Sequence, residues 1–239
     1  MLPEGTVPQR LYLMRVATIP ERNLPFVCYL VQMSDGTNVL IDSGLPEDVQ
    51  LPPGLPMPSM EKSVIEQLAQ LGLQASDIDL LVCTHFDGDH NGHHSAFSGA
   101  ELVVQRQHYE LAHEGHPRFA SSRAQWDAPG LHYRLVEGDT ELFPGLQLIE
   151  TSGHVPGHQS VLVHLPKTGA VLLTIDAVAQ QRAFSLEREA GQADMDAELL
   201  LSSTRKLLDL VQQEQVALTI FGHDGDQWQT LKKVPEYYD

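Results

Sequence analysis

The chain has 239 residues, and 42% of them are hydrophobic, which is enough apolar material for one sizeable core. Its formal net charge is -17, from 32 acidic and 15 basic residues, and this charge would repel nucleic acid and anionic membranes. We therefore expect a single domain over residues 1–239 and no nucleic-acid or membrane partner. The sequence leaves the oligomeric state open.

The N-terminus and the cysteines together predict a cytoplasmic protein. Arg10 and Arg15 interrupt the apolar residues of segment 1–20, which therefore lacks the continuous core of a signal peptide. No stretch approaches the roughly 20 apolar residues of a membrane span. Cys28 and Cys83 both lie in apolar runs, and two cysteines do not form a disulfide framework. We expect buried, reduced thiols.

Apolar runs bounded by turn residues predict strands in the first half at 11–16, 26–33, 39–41 and 80–83. Asp35 and Gly36 predict a hairpin turn between the second and third runs, because both residues tolerate a positive φ. Segment 59–73 has helical apolar spacing, with Ser59 as its expected cap. The proline-rich segment 51–58 is expected to be a loop, either a plain connector or an apolar wall of a site.

The second half repeats this pattern. Strands are predicted at 102–105, 146–149, 161–165, 171–175 and 216–221, with an amphipathic helix over 194–213 between the last two. Two blocks of strands, each followed by a helix, predict an α/β fold with two packed sheets and helices outside.

Four side chains able to bind metal are concentrated in segment 85–90, HFDGDH, directly after a predicted strand. In an extended chain, alternation places His85, Asp87 and Asp89 on one side, and Gly88 gives the turn the freedom to bring them together. His90 completes the group. Four such residues in so short a segment predict a metal site.

Three further candidates follow later predicted strands. His154 lies in a loop rich in glycine and proline, and His223 follows the last strand within the segment FGHD. Asp176 ends the strand 171–175, where an acid is either a helix cap or a ligand. Functional groups on loops at strand ends are presented by the rigid sheet beneath them.

The remaining histidines lack such positions, and we expect them to have packing, hydrogen-bonding or surface roles. Among them, we expect His93 and His94 to line the edge of the site or to face solvent, and His158 to pack or form hydrogen bonds. His108, His113, His116 and His132 lie in a polar segment without partner spacing.

The order of these motifs resembles the metallo-β-lactamase superfamily. Five segments narrow the resemblance to the N-acyl-homoserine lactonases that quench bacterial quorum sensing: VLIDSG at 39–44, VVQR at 103–106, PGHQS at 156–160, LLTIDA at 172–177 and FGHD at 221–224. The similarity runs from about residue 26 to the PEY near the C-terminus. It implies an αββα sandwich of two mixed β-sheets with outer helices.

The resemblance also implies a site with two divalent ions, zinc by default and manganese or iron as alternatives. It assigns the ligands position by position: His85, Asp87 and His154 to one ion, Asp89, His90 and His223 to the other, and Asp176 to both. Asp42 resembles an acid that orients a ligand histidine, although a turn or capping role is its alternative. A hydroxide bridging the ions would open a lactone ring, and Asp89 would assist proton transfer to the leaving alkoxide.

Two positions depart from the family pattern. Asp87 stands where the family has a second histidine, so we expect one more negative charge on the metals and a shift toward harder ions such as Mn²⁺ or Fe²⁺. Ala179 stands where the lactonases have a tyrosine that holds the lactone carbonyl, and Tyr29, Tyr109 and Tyr133 are the tyrosines considered as replacements.

We therefore carry three hypotheses. The first is a metal-dependent lactonase acting on N-acyl homoserine lactones or a related lactone, with Leu51, Leu55 and Met57 as suppliers of an apolar wall. The second is a thioester or other ester hydrolase of the same fold. The third is a metal- and lactone-binding sensor without turnover. The competent donors at all seven ligand positions argue against this third hypothesis.

Overall fold

A computed structural model describes residues 5–46, 49 and 56–239 of the protein. Leu51 and Leu55, which we predicted to form an apolar wall, lie outside these residues. Met57 is described, and its side chain is exposed to solvent.

The first sheet has seven strands, in the order β4-β1-β2-β3-β5-β6-β7. Their bounds are β1 Pro8–Ile19, β2 Leu24–Met33, β3 Asn38–Ile41, β4 Ser59–Met60, β5 Leu80–Val82, β6 Glu101–Gln105 and β7 His132–Val136. Strands β1 to β4 pair antiparallel, whereas β3, β5, β6 and β7 run parallel.

The second sheet has five strands, in the order β12-β11-β10-β9-β8. Their bounds are β8 Thr140–Phe143, β9 Leu146–Glu150, β10 Gln159–Leu165, β11 Gly169–Ile175 and β12 Leu218–Phe221. Strands β8 to β11 pair antiparallel, and β12 joins β11 in parallel. Both sheets are therefore mixed, as predicted.

Five α-helices accompany the sheets in the described part of the chain. They are α1 Val64–Gln70, α2 Arg106–His113, α3 Arg123–Trp126, α4 Ala197–Gln213 and α5 Gly225–Trp228. No helix among the described residues is both long and apolar enough to cross a membrane.

Alternation along the strands divides the apolar side chains between three layers of core. Leu11 and Leu13 of β1 and Val161 of β10 belong to the cluster between the sheets. Tyr12 of β1 packs on the outer side with α1 and α2, and Leu162 of β10 packs on the opposite outer side with α4. Because successive strand residues face opposite sides, each sheet is covered on both faces. The predicted αββα arrangement is confirmed.

The prediction for the first helix was wrong at its start. Ser59 belongs to the short strand β4 on the edge of the first sheet and is not a helix cap. Ser63 caps α1 instead: its hydroxyl accepts from the Glu66 N–H, and the Glu66 carboxylate accepts from the Ser63 N–H. This reciprocal pair satisfies two N–H groups at the helix start and determines where it begins.

Several elements were missed from the sequence. Helix α2 and the edge strands β7 and β8 lie in the polar middle of the chain, where exposed positions hide the apolar period. Edge strands carry polar residues because one side has no neighbouring strand. Cys28 and Cys83 are buried and not bonded to each other, as expected.

Candidate metal centre

The seven predicted ligands come from loops that follow four different strands but meet at one edge of the sandwich. The loop after β5 carries four of them, His85, Asp87, Asp89 and His90. His154 follows β9, Asp176 follows β11 and His223 follows β12. Strand ends are the common place for functional groups, because the sheet holds the loops rigidly.

The ligand atoms form three groups in which all atoms lie within 4.8 Å of one another. One is His85, Asp87 and His154, hereafter the first triad, and another is Asp89, His90 and His223, hereafter the second triad. The third joins His85, His90 and Asp176 across the two triads. Sequence positions up to 138 residues apart, from 85 to 223, thus converge.

Asp176 lies between the two triads and presents one carboxylate oxygen to each. Its Oδ1 is 3.4 Å from Nε2 of His90 and 3.0 Å from Nε2 of His223. Its Oδ2 is 3.8 Å from Nε2 of His85 and 3.4 Å from Nε2 of His154. A carboxylate placed in this way can share itself between two cations.

These separations fit metal ions. A tetrahedral ion about 2.0–2.1 Å from each ligand holds the ligand atoms about 3.3 Å apart, and the spacings around Asp176 span 3.0 to 3.8 Å. Nε2 of His85, Nε2 of His90 and Oδ1 of Asp176 are buried without a hydrogen-bond partner in the described part of the chain. Because unpaired buried polar atoms are costly, cations are the natural partners of these atoms. The residues present therefore fit a divalent metal.

The other ring nitrogen of each histidine is fixed, so that Nε2 faces the centre. Nδ1 of His90 is 2.8 Å from Oδ2 of Asp42, which is fully buried. Nδ1 of His223 donates to the carbonyl oxygen of Pro25 at 2.8 Å. Nδ1 of His154 is 2.9 Å from Oδ1 of Asp194. Such partners hold a histidine in the tautomer that leaves Nε2 free for a metal.

Asp42 also reaches the fourth histidine. Its Oδ2 accepts from the Thr84 hydroxyl at 2.6 Å, and its Oδ1 accepts from the Thr84 N–H at 2.9 Å. The same hydroxyl oxygen is 3.1 Å from Nδ1 of His85. The one buried carboxylate thus orients a histidine of each triad, His90 directly and His85 through Thr84.

The centre attracts positive charge. Burial works to lower the pKa of His90, but the carboxylates of Asp176, Asp89 and Asp42 raise it well above its usual value. For His154, hydrogen bonds to Asp194 and Asp87 outweigh burial in the same way and raise the pKa to about 9. Protons, guanidinium groups and metal ions all compete for such a site.

Strained backbone positions Asp176. The preceding residue, Ile175, has a φ of 51°, which is unusual for a β-branched side chain and costs on the order of 1–3 kcal/mol. Gly222 packs against this turn: a Cβ at that position would lie 2.5 Å from the Ile175 oxygen and 3.1 Å from Oδ1 of Asp176. A side chain at 222 would therefore displace the shared carboxylate.

The charge of Asp87 has a partner that the sequence did not indicate, and its effect on bound metals stays a prediction. Arg118 donates from Nε to Oδ1 of Asp87 at 2.7 Å and from Nη2 to Oδ2 at 2.5 Å. Burial alone would raise the pKa of Asp87, but Arg118 holds it well below its usual value. Asp87 is therefore ionised and paired with Arg118 in this structure.

Three residues that support the site were missed from the sequence. Asp194 was assigned to the start of a helix, but α4 begins at Ala197 with Asp196 as its cap. His108 accepts from the Phe86 N–H at 2.8 Å and contacts the Pro156 oxygen at 2.8 Å, which ties together two ligand loops. Arg118 lies in a short 3-10 helix, Pro117–Ser122. No local pattern marks any of them, because their partners are distant in sequence.

Two other buried histidines have hydrogen-bonding roles, which was expected for His158 but not for His94, predicted to line the site edge or face solvent. Nε2 of His158 accepts from the Asp176 N–H at 3.2 Å, and its Nδ1 is 2.9 Å from the Thr151 hydroxyl. Nδ1 of His94 is 2.7 Å from the Ser43 hydroxyl. The others are partly buried or exposed: His93, His113, His116, His132 and His164.

Ala179, at the position where the sequence analysis expected the family's tyrosine, contributes to the site through its backbone oxygen. The Ala179 oxygen accepts from the His223 N–H at 2.8 Å and so helps to hold that loop. Tyr133 donates its hydroxyl to the Trp126 oxygen, and Tyr29 is fully buried between the sheets. Tyr109 stacks on His113 with ring centroids 3.9 Å apart. The Tyr133 hydroxyl is therefore engaged, whereas the Tyr29 hydroxyl is buried without a hydrogen-bond partner in the described part of the chain.

Comparison with known proteins identifies the family. Residues 24–223 match the metallo-beta-lactamase superfamily. The chain is 36% identical over 226 residues to an N-acyl homoserine lactonase of a Bacillus species, covering 90% of this chain and 87% of that one. It is 34% identical over 200 residues to the lactonase AttM of Azorhizobium caulinodans, covering 77% and 72% of the two chains.

Solved structures support the same family assignment. An N-acyl homoserine lactone hydrolase with the product N-hexanoyl-L-homoserine bound at its catalytic metal center superimposes with a TM-score of 0.85 and 30% identity, over 97% of this chain and 100% of that one. A variant of the B. thuringiensis AiiA lactonase with N-decanoyl-L-homoserine bound gives the same TM-score, identity and coverage. The chain therefore belongs to the metallo-β-lactamase superfamily and, within it, to the family of the N-acyl homoserine lactonases, as the sequence motifs predicted.

Proposed function

We propose that this protein is a hydrolase that opens the lactone ring of N-acyl homoserine lactones with two divalent ions, one at each triad. Zinc is the first choice of metal, and manganese or iron are the alternatives. One observation carries the proposal: Asp176 presents its two oxygens to two separate triads, at 3.0–3.8 Å from their histidines. This arrangement supports a pair of cations that share a carboxylate.

Divalent ions bound in this way lower the pKa of a water molecule and polarise a carbonyl oxygen, the two requirements of ester hydrolysis. The residues of the chain supply the rest. Four histidines present Nε2 to the centre, because Asp42, Asp194, Thr84 and the Pro25 oxygen hold the other ring nitrogen. Rigid ligands of this kind avoid reorganisation during the reaction.

Asp89 is proposed as the catalytic residue that assists proton transfer to the leaving alkoxide. Its side chain is 24% exposed, more than those of Asp87 and Asp176, so it can face a substrate that enters from solvent. Its Oδ2 is 3.6 Å from Nε2 of both His90 and His223. A carboxylate that is partly open and next to the reacting atoms suits a proton-transfer role.

The substrate is proposed from the relatives, which are named as N-acyl homoserine lactonases and include structures with N-acyl homoserine products bound. Ala179 offers no hydroxyl for the lactone carbonyl, so the metals would carry more of that oxygen's charge here. The loss of one oxyanion donor typically costs on the order of 10²–10³ in rate. We therefore expect slower turnover than in lactonases with the tyrosine. The cytoplasmic location predicted from the sequence stays a prediction.

The test is ring opening measured by proton release, because hydrolysis of a neutral lactone yields a carboxylic acid. N-hexanoyl homoserine lactone and a hexanoyl thioester are compared as substrates, with metal-free protein and with protein reloaded with zinc. We expect turnover of the lactone that is lost on chelation and restored by metal. Asp176→Asn should abolish it, and Asp226→Asn, at an exposed acid, serves as the control. Full lactone turnover by the chelated protein would contradict the proposal, and preference for the thioester would change the substrate class.

A further inference from the structure

Arg118 reaches into the first triad and contacts two of its ligand atoms. Nη2 lies 2.5 Å from Oδ2 of Asp87 and 2.9 Å from Nε2 of His154. Nη1 donates to the Ala193 oxygen at 2.5 Å, one residue before Asp194. The guanidinium therefore joins the loop after β5, the His154 loop and the segment before α4.

The atoms that Arg118 contacts are those a metal would use. Nδ1 of His154 faces Asp194, so Nε2 is the ring atom available to the centre. Because Nη2 of Arg118 lies 2.9 Å from this nitrogen, the guanidinium and a metal ion bound to His154 would occupy the same space. Both oxygens of Asp87 are also engaged by the two-pronged guanidinium. The first triad is thus occupied by a cation of the protein itself.

The second triad has no such group. Nε2 of His90 is buried without a hydrogen-bond partner, and no lysine or arginine of the described residues forms an ion pair with Asp89. Among the described residues, no guanidinium or ammonium group is therefore paired with a carboxylate of the second triad. The two triads share Asp176 but differ in this respect, and Asp87 together with Arg118 accounts for the difference.

We propose that Arg118 and a divalent ion compete for the first triad, so that the second triad fills at a lower metal concentration. This inference rests on the ligand set of the proposed function. Filling the first triad requires the guanidinium to leave Asp87 and His154, because two cations at one position repel each other. Its side chain is 21% exposed, which gives it an outward path. Its departure also frees the Ala193 oxygen.

The test is a zinc titration of the metal-free protein against a chromophoric chelator, which gives two stepwise affinities. The variants are Arg118→Gln, which removes the charge, and Arg118→Lys, which keeps it but cannot engage both oxygens. Arg123→Gln is the matched control, because Arg123 forms an exposed ion pair with Asp127 away from the ligands. Thermal unfolding checks that each variant is folded.

We expect the wild type to bind one zinc ion at least about tenfold more tightly than the second, since bonds to charged groups must be broken for the second. Arg118→Gln should strengthen the weaker step about 10-fold to 100-fold and leave the stronger step unchanged. Arg118→Lys should give a smaller gain, and Arg123→Gln should give none. Titration with Mn²⁺, followed by paramagnetic resonance, should show isolated ions first and coupled pairs later, with pairs appearing earlier in Arg118→Gln.

Two equal wild-type affinities that Arg118→Gln does not alter would overturn the inference. So would loss of the second ion in Arg118→Gln, because Arg118 would then support the metal instead of competing with it. Failure of the proposed function has a different signature: protein with both triads filled by zinc would not hydrolyse the lactone. The two failures are therefore distinguishable.

Discussion

Asp42→Asn removes one negative charge from beneath the metal centre and changes almost no volume. Asp42 is fully buried and accepts three hydrogen bonds, two from Thr84 and one from His90. An asparagine has a single acceptor oxygen, so its amide nitrogen must replace either Oδ1 or Oδ2. The two placements have different costs.

If the amide nitrogen replaces Oδ1, it faces the Thr84 N–H, which lies 2.9 Å away, and two donors oppose each other. The buried N–H left unpaired lowers the free energy of unfolding by about 1–3 kcal/mol. If the nitrogen replaces Oδ2, it faces Nδ1 of His90 at 2.8 Å. The ring must then accept there and carry its proton on Nε2, the atom that faces Asp176.

The second placement blocks a metal ligand. Changes at groups that orient a ligand typically weaken metal binding about 10-fold to 100-fold, which corresponds to about 1.4–2.8 kcal/mol. Zinc competition against a chelator measures the affinity, and urea unfolding of the metal-free protein measures the stability. Asp35→Asn is the control, because Asp35 also accepts hydrogen bonds but lies in an exposed turn. Wild-type values for both quantities in Asp42→Asn would refute the reasoning.

Three further predictions concern other parts of the centre. Gly222→Ala should cost about 1–3 kcal/mol of stability by overpacking and should weaken zinc binding, because the new Cβ would crowd Ile175 and Asp176. Gly99→Ala, which meets no atom within 4 Å, should do neither in the same unfolding and zinc assays. His154 has a pKa raised to about 9, so it is protonated at pH 7, and zinc must displace that proton. Calorimetry in buffers of different ionisation enthalpy should therefore show proton release, and zinc affinity should rise with pH up to about 9; heats independent of the buffer would contradict this. Asp87→His should shift the metal content of the purified protein toward zinc, since it replaces an anionic oxygen donor with a nitrogen donor; identical metal content by mass spectrometry would exclude it.

The sequence by itself determined the family, the fold class and most of the regular elements. Strands in the middle of a sheet are long apolar runs, such as β2 and β10, and their pattern is local. The segment HFDGDH and the histidines after later strands could be selected for the same reason, because each is a short pattern next to a strand. Their assignment as metal ligands stays a prediction.

Tertiary structure decided what surrounds those residues. Ser63 and not Ser59 begins the first helix, because β4 takes Ser59 into pairing with β1. Asp194 supports His154 across 40 positions of sequence, and no local pattern could connect the two.

The clearest case is Asp87. The sequence predicted that Asp87 places an extra negative charge on the metals, and this prediction follows from its residue type alone. Folding places Arg118, 31 positions away, with its guanidinium against both oxygens. Residue types and local periods are properties of the sequence, but electrostatic energies depend on distances between groups that only the folded chain brings together.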